Sequence, residues 1–158
     1  MDFSSLSEAL ESRSYGKIAD ICDNLMLQAI SLSLSLSLSL SLLFSYSSFS
    51  HFPLSTSVQV AAEGVAFQDE WPYAIHLLSH IYSDDTNSAR FLWKSIPAAI
   101  KDSQPELVAG WKIGQKLWMR DYGGVHEAIH GFDWSRQVQG LVAAFSGKCL
   151  VFTKSYLL

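Results

Sequence analysis

The chain has 158 residues, 49% hydrophobic and 16% charged, with a formal net charge of −4. That length suits one ordinary domain, and the absence of any Lys/Arg cluster excludes the basic footprint of a nucleic-acid binder. Two cysteines, Cys22 and Cys149, with no C-x-x-C spacing exclude a disulfide framework and point to a reduced compartment.

The N-terminal MDFSSLSEALESRS has no basic region followed by an apolar core, so no secretory signal is expected. From there SEALESRSYGKIADICDNLMLQ sets Leu6 and Leu10, then Tyr15, Ile18, Cys22, Leu25 and Met26, at three- and four-residue steps. This predicts two short amphipathic helices broken near residues 13–16.

The next stretch, AISLSLSLSLSLSLLFSYSSFSHF at 29–52, breaks the pattern. Ser and Leu alternate through 31–42, and no Asp, Glu, Lys or Arg occurs from 24 to 62. A strand would have this period of two, but it would be longer than most and lack a partner of similar pattern. A membrane span needs about twenty apolar residues; here half the core is serine, and no basic residue flanks it closely. A third reading uses the genetic code: a CT repeat read in triplets alternates Leu and Ser codons. The stretch ends at Gln59, as the CAG of a splice acceptor would, and Gly147 with Lys148 is what the donor-like GGTAAG encodes. Both segments therefore read as translated introns. Physically, 29–59 is expected to be a disordered or weakly structured excursion between two helices, and an aggregation hazard.

DEWPYAIHLLSHIY then places Pro72 in a first helical turn, with Asp69 as candidate cap. SDDTNSARFLWKSIP offers Asp85 or Thr86 as cap, an Ala89, Leu92, Trp93, Ile96 face, and a stop at Pro97. SQPELVAGWKIGQKLWMR puts Pro105 at the first helical position and runs Leu107, Trp111, Gly114 and Trp118 along one stripe. Its Lys116 and Arg120 sit where the helix dipole favours cations. DYGGVHEAIHGFDWSRQVQGLVAAFS gives one helix ending at Gly131 and another over 134–145. SYGKIADIC at 14–22 and DYGGVHEAI at 121–129 share an aromatic residue, a glycine and apolar residues in matching register. Such an echo suits stacked helical hairpins. The fold class is all-α: a helical repeat with a low-complexity insert.

HEAIH, at His126, Glu127 and His130, fits the H-E-x-x-H zinc-peptidase pattern. A catalytic zinc needs a third protein ligand. In the extended pattern that histidine falls at Arg136 and the glycine at Asp133, and no glutamate follows Glu127. The motif is rejected as a metal site. His76 and His80, also four apart, read as the edge of an amphipathic helix with one or both solvated, and Cys22 as a small core residue. Asp121-Tyr122-Gly123-Gly124 is a turn, with no preceding strand to make it a phosphate loop. Trp71, Trp93, Trp111, Trp118 and Trp134 are the structural anchors, read as core packing between helices. No catalytic residue, cofactor or small-molecule substrate is predicted.

KIADICDNLMLQ, DEWPYAIHLL, SARFLWKSIPAAIK, GWKIGQKLW and AIHGFDWS resemble, in this order, the smallest-subunit (subunit eight) family of the COP-nine signalosome, most closely its plant forms. A small proteasome-lid subunit and subunit k of a translation initiation factor are more distant relatives. The resemblance covers 1–28 and 60–146. It implies a non-catalytic subunit of the nuclear and cytoplasmic complex that removes Nedd8 (Rub in plants) from cullins, with the isopeptidase zinc site on another subunit. It also implies a PCI-type N-terminal half of helical repeats before a winged-helix half. Removing 29–59 would restore a continuous family phrase, and beyond Ser146 GKCLVFTKSYLL replaces the family's continuation.

The expected organisation is an N-terminal hairpin at 1–28, the insert at 29–59, a helical-repeat region at 60–146 and an aberrant tail at 147–158. Expected partners are the other signalosome subunits, with assembly impaired for want of the winged-helix half; no nucleic acid and no membrane partner is expected. The alternatives are a subunit of a paralogous lid or initiation-factor particle, a zinc hydrolase through HEAIH, and a membrane-anchored helical protein through the Ser/Leu segment.

Overall fold

The first apolar run folds into two helices, α1 (Ser4–Glu11) and α2 (Tyr15–Tyr46), in a computed structural model that describes residues 3–46 and 71–156. The break between them is a tight turn in which Arg13 takes a positive φ of 54°. Arg13 N–H donates to the Leu10 carbonyl and Ser14 N–H to the Ala9 carbonyl. This is the Schellman closure, which satisfies the orphan carbonyls of a helix end.

The same turn recurs twice. Between α3 (Tyr73–Tyr82) and α4 (Thr86–Ser95), Asp84 has φ 62°, with Asp84 N–H on the Ile81 carbonyl and Asp85 N–H on the His80 carbonyl. Between α6 (Pro105–Trp118) and α7 (Tyr122–His130), Arg120 has φ 56°, with matching bonds to Leu117 and Lys116. In the second and third turns an Asp follows and caps the next helix: Asp85 accepts from Ser88 N–H, and Asp121 from Gly124 N–H. Gly124 is required there, because a Cβ would collide with the Asp121 carboxylate and lie 2.9 Å from Lys116 Cδ. The echo read at 14–22 and 121–129 thus marks the start of the second helix in two helical hairpins, and Asp85 stands at the same place in a third.

α5 (Ala98–Ser103) is a helix the periodicity missed. Pro97 is more than the expected stop: it ends α4 and opens the next helix, where a missing N–H does no harm. Pro105 likewise opens α6. The predicted cap Asp69 lies outside the described residues. The all-α expectation holds: no strand occurs among the described residues.

α3 is the centre, in contact with α2, α4, α6 and α8 (Arg136–Tyr156). Every residue from Tyr73 through Ile81 is buried. Burying one Leu or Ile side chain contributes about 1.5–3 kcal/mol, so this helix, which touches four others, carries much of the core. Ile18 and Cys22 from α2, Ile113 from α6 and Val138, Leu141 and Phe145 from α8 complete the core.

Two expected boundaries are corrected. The chain does not leave helix at residue 28, since α2 runs unbroken to Tyr46. Leu is a strong helix former, propagation from a formed helix avoids the nucleation penalty, and Ser31, Ser33, Ser35 and Ser37 return their hydroxyls to the carbonyl three residues back. Residues 47–59 of the insert lie outside the described residues. At the other end, α8 passes through 147 without a break. Lys148 Nζ donates to the Tyr82 carbonyl and to Asp84 Oδ2, each at 2.6 Å, and Cys149 is buried. Residues 148 and 149 therefore close the C-terminal end of α3 rather than trailing from the fold.

Candidate functional site

α4 and α6 lie against each other and turn large side chains outward. Phe91 is 70% exposed, Trp118 56% and Met119 62%. Between the two helices is a cleft of about 410 Å³, lined by Ala89, Arg90, Trp111, Gly114, Trp118 and Met119 among others. Gly114 shapes its floor, where an added Cβ would stand 3.2 Å from Ile81 Cδ1.

The aromatic rings are held in place by partners. Trp93 and Trp111 stack at 5.2 Å with planes 9° apart. Lys101 Nζ sits 4.6 Å over the Trp93 ring, and the Arg90 guanidinium 5.4 Å over Trp118. A cation over an exposed ring contributes about 0.5–1 kcal/mol, which orders both groups before any partner arrives. Trp and Arg at the rim of an apolar cleft are the residue types that dominate protein–protein binding energy. The arrangement suits capture of a partner's apolar side chains.

The tryptophans divide accordingly. Trp71 is buried, edge-on to Phe3. Trp93, Trp111 and Trp134 are half-buried, and Trp134 Nε1 donates to the Ile129 carbonyl at 2.7 Å, closing the α7–α8 corner. Trp118, read as a core anchor, is on the surface. It is the last residue of its helix and lines the cleft between α4 and α6. Phe91 and Met119 had no motif to single them out.

Two histidine pairs also change standing. In HEAIH, His126 is half-buried while Glu127 and His130 are exposed, and the two rings stack at 5.5 Å. His76 and His80, expected at a solvated edge, are instead 1% and 4% exposed. His76 Nε2 is 2.8 Å from Asp23 Oδ1, and His80 Nε2 is 3.1 Å from His76 Nε2 and 3.3 Å from Asp23 Oδ1. They are buried because α3 is packed on every side. Burial pushes His76 down to about 4, against the opposing pull of Asp23. Neither sequence spacing nor motif links Asp23 to a histidine 53 residues away; only the α2–α3 packing does. Cys22 is pushed up to about 12 by burial and by Asp23 beside it, consistent with an inert core thiol.

Comparison with known proteins follows the same ground. Residues 68–150 match the CSN8/PSMD8/EIF3K family, a stretch that holds α3 through α7 and most of α8. The chain is 50% identical over 146 residues to COP9 signalosome complex subunit 8 of Arabidopsis thaliana, across 92% of this chain and 58% of that protein. It is 40% identical over 72 residues to the subunit 8 of Danio rerio and 43% over 68 residues to that of Xenopus laevis, or 46% and 43% of this chain and 38% and 35% of those proteins. The chain spans less than two thirds of the length of these relatives. The resemblance read from the quoted phrases is borne out.

Proposed function

The chain belongs to the CSN8/PSMD8/EIF3K family, and from that premise we propose that it is a non-catalytic scaffold subunit of the signalosome, the complex that removes Nedd8/Rub from cullins. Its partners are the other subunits, in nucleus and cytoplasm, and its work is done by surfaces rather than by a reacting pocket. The observation that carries this reading is the cleft between α4 and α6, which lies within the family-matched stretch and exposes Trp118, with Arg90 over its ring, and Met119. Contiguous exposed apolar surface marks interaction sites.

The Ser/Leu extension of α2 works against assembly. Leu32, Leu34, Leu36 and Leu38 are all exposed, on a helical arm that the family phrase lacks at that place. The expected result is that tagged chain expressed in plant cells recovers the isopeptidase-bearing particle below normal stoichiometry. Deleting residues 29–59 raises the recovery, and Trp118→Glu lowers it. Recovery no greater than from an empty tag, with and without the arm, contradicts the scaffold reading. Normal stoichiometry with the arm present contradicts the impairment.

A further inference from the structure

Asp23 on α2 and His76 and His80 on α3 bring one possible ligand atom each into a tight cluster, with separations of 2.8, 3.1 and 3.3 Å. From this geometry we infer a binding site for a divalent transition-metal ion of the zinc class that ties α2 to α3. Tetrahedral zinc holds N and O ligands at about 2.0–2.2 Å, which separates neighbouring donors by about 3.3 Å. Two imidazoles and a carboxylate are a donor set that suits zinc. The pair four apart on one helix is the spacing that HEAIH also has, but among the described residues the α3 pair is the one that meets a third ligand.

Proton counting supplies an independent argument. Trp71 Nε1 donates to His76 Nδ1 at 3.4 Å, and a neutral His76 then carries its proton on Nε2, facing Asp23. His80 Nε2 faces both that N–H and the same carboxylate oxygen. With a proton it opposes the His76 N–H; without one it sets a lone pair against the carboxylate. No neutral assignment satisfies all four contacts, and a buried mismatch is unfavourable. A cation accepts lone pairs from all three donors and moves the His76 proton to Nδ1, which leaves one opposed pair in place of the mismatch at the cluster, Nδ1–H against the Trp71 N–H, at the longest contact of the set. The Asp23 side chain is 52% exposed, which gives an ion a route from solvent. Three protein donors leave the fourth position to water. The α2–α3 tether makes the ion a structural clamp.

The test is titration of the metal-stripped full chain with zinc chloride by calorimetry, and with cobalt chloride by visible absorption. The expected result is one ion per chain, a tetrahedral cobalt band, and a rise in Tm with zinc. His80→Gln and Asp23→Asn each weaken binding by at least about tenfold, while a His126→Gln/His130→Gln double variant binds as the parent does. Asp23 is on the surface, so Asp23→Asn keeps the fold, as its circular dichroism will show. Absence of stoichiometric binding overturns the proposal. So does binding that survives Asp23→Asn and disappears with the HEAIH double variant.

Discussion

α3 and the Ser/Leu arm of α2 are both apolar helices, and they are helical for opposite reasons. α3 opens on a proline with no side-chain cap and includes two histidines and a tyrosine pair that propensity does not favour. It is a helix because four others pack on it. The arm has leucines on opposite sides of its axis, four of them exposed, and is held by local bonds: hydroxyl to carbonyl, backbone turn on backbone turn. One helix is made by tertiary burial, the other by propagation. In this molecule apolar content does not decide burial; the angular distribution of apolar groups and the availability of a partner do.

The largest expected effect tests that contrast by truncation. Leu77→Ala, at a fully buried site, lowers unfolding free energy by about 2–5 kcal/mol. Leu36→Ala, on the arm, changes it by less than about 0.5 kcal/mol. Urea denaturation followed by tryptophan fluorescence measures both, and equal effects break the comparison.

The next effect is acid sensitivity, located in α3. His76 titrates near 4 in the fold against an ordinary value of 6.5, so between those values the unfolded chain binds the extra proton. Stability is therefore full above about pH 6.5 and falls as the pH drops towards 4. In chelator-treated buffer the unfolding free energy at pH 5 is about 2 kcal/mol below that at pH 7. His76→Gln flattens this slope, and an unchanged slope would show that the acid sensitivity arises elsewhere.

Two smaller effects probe the hairpin turns. Asp85→Ala removes the α4 cap and destabilises by about 1 kcal/mol, read by thermal denaturation; no loss would mean the α3–α4 turn closes without it. Arg13→Gly and Arg120→Gly relieve the left-handed strain of non-glycine residues and each stabilise by about 0.5 kcal/mol. A loss of stability on either substitution would show that the arginine side chain outweighs its backbone strain.

Much of this was legible because the relevant physics is local. The break at 13–16, the Asp85 cap, Pro105 at the head of α6 and the 107–114 face are all set by residues within a turn or two of each other. α5 was hidden because six residues are too few to show a period. The Ser/Leu segment is expected from its low complexity to be a disordered or weakly structured excursion; residues 29–46 are helical instead, because leucine propensity and a preformed helix upstream favour propagation. The Asp23–His76–His80 cluster was illegible in principle, since its members lie on helices whose contact no local pattern specifies. Exposure of Trp118 is a matter of position along the helix: it keeps the face of Leu107 and Gly114 but is the last residue of α6, beside the cleft.

The most direct test of the central claim, a helical body organised on α3 with the arm outside it, is amide hydrogen exchange of the full chain, resolved by peptide. The account predicts that amides of 73–82 exchange only at the rate of global unfolding, while those of 29–46 exchange orders of magnitude faster by local fraying. Equal protection of the two segments would contradict it, because the arm would then have to be packed against something as α3 is.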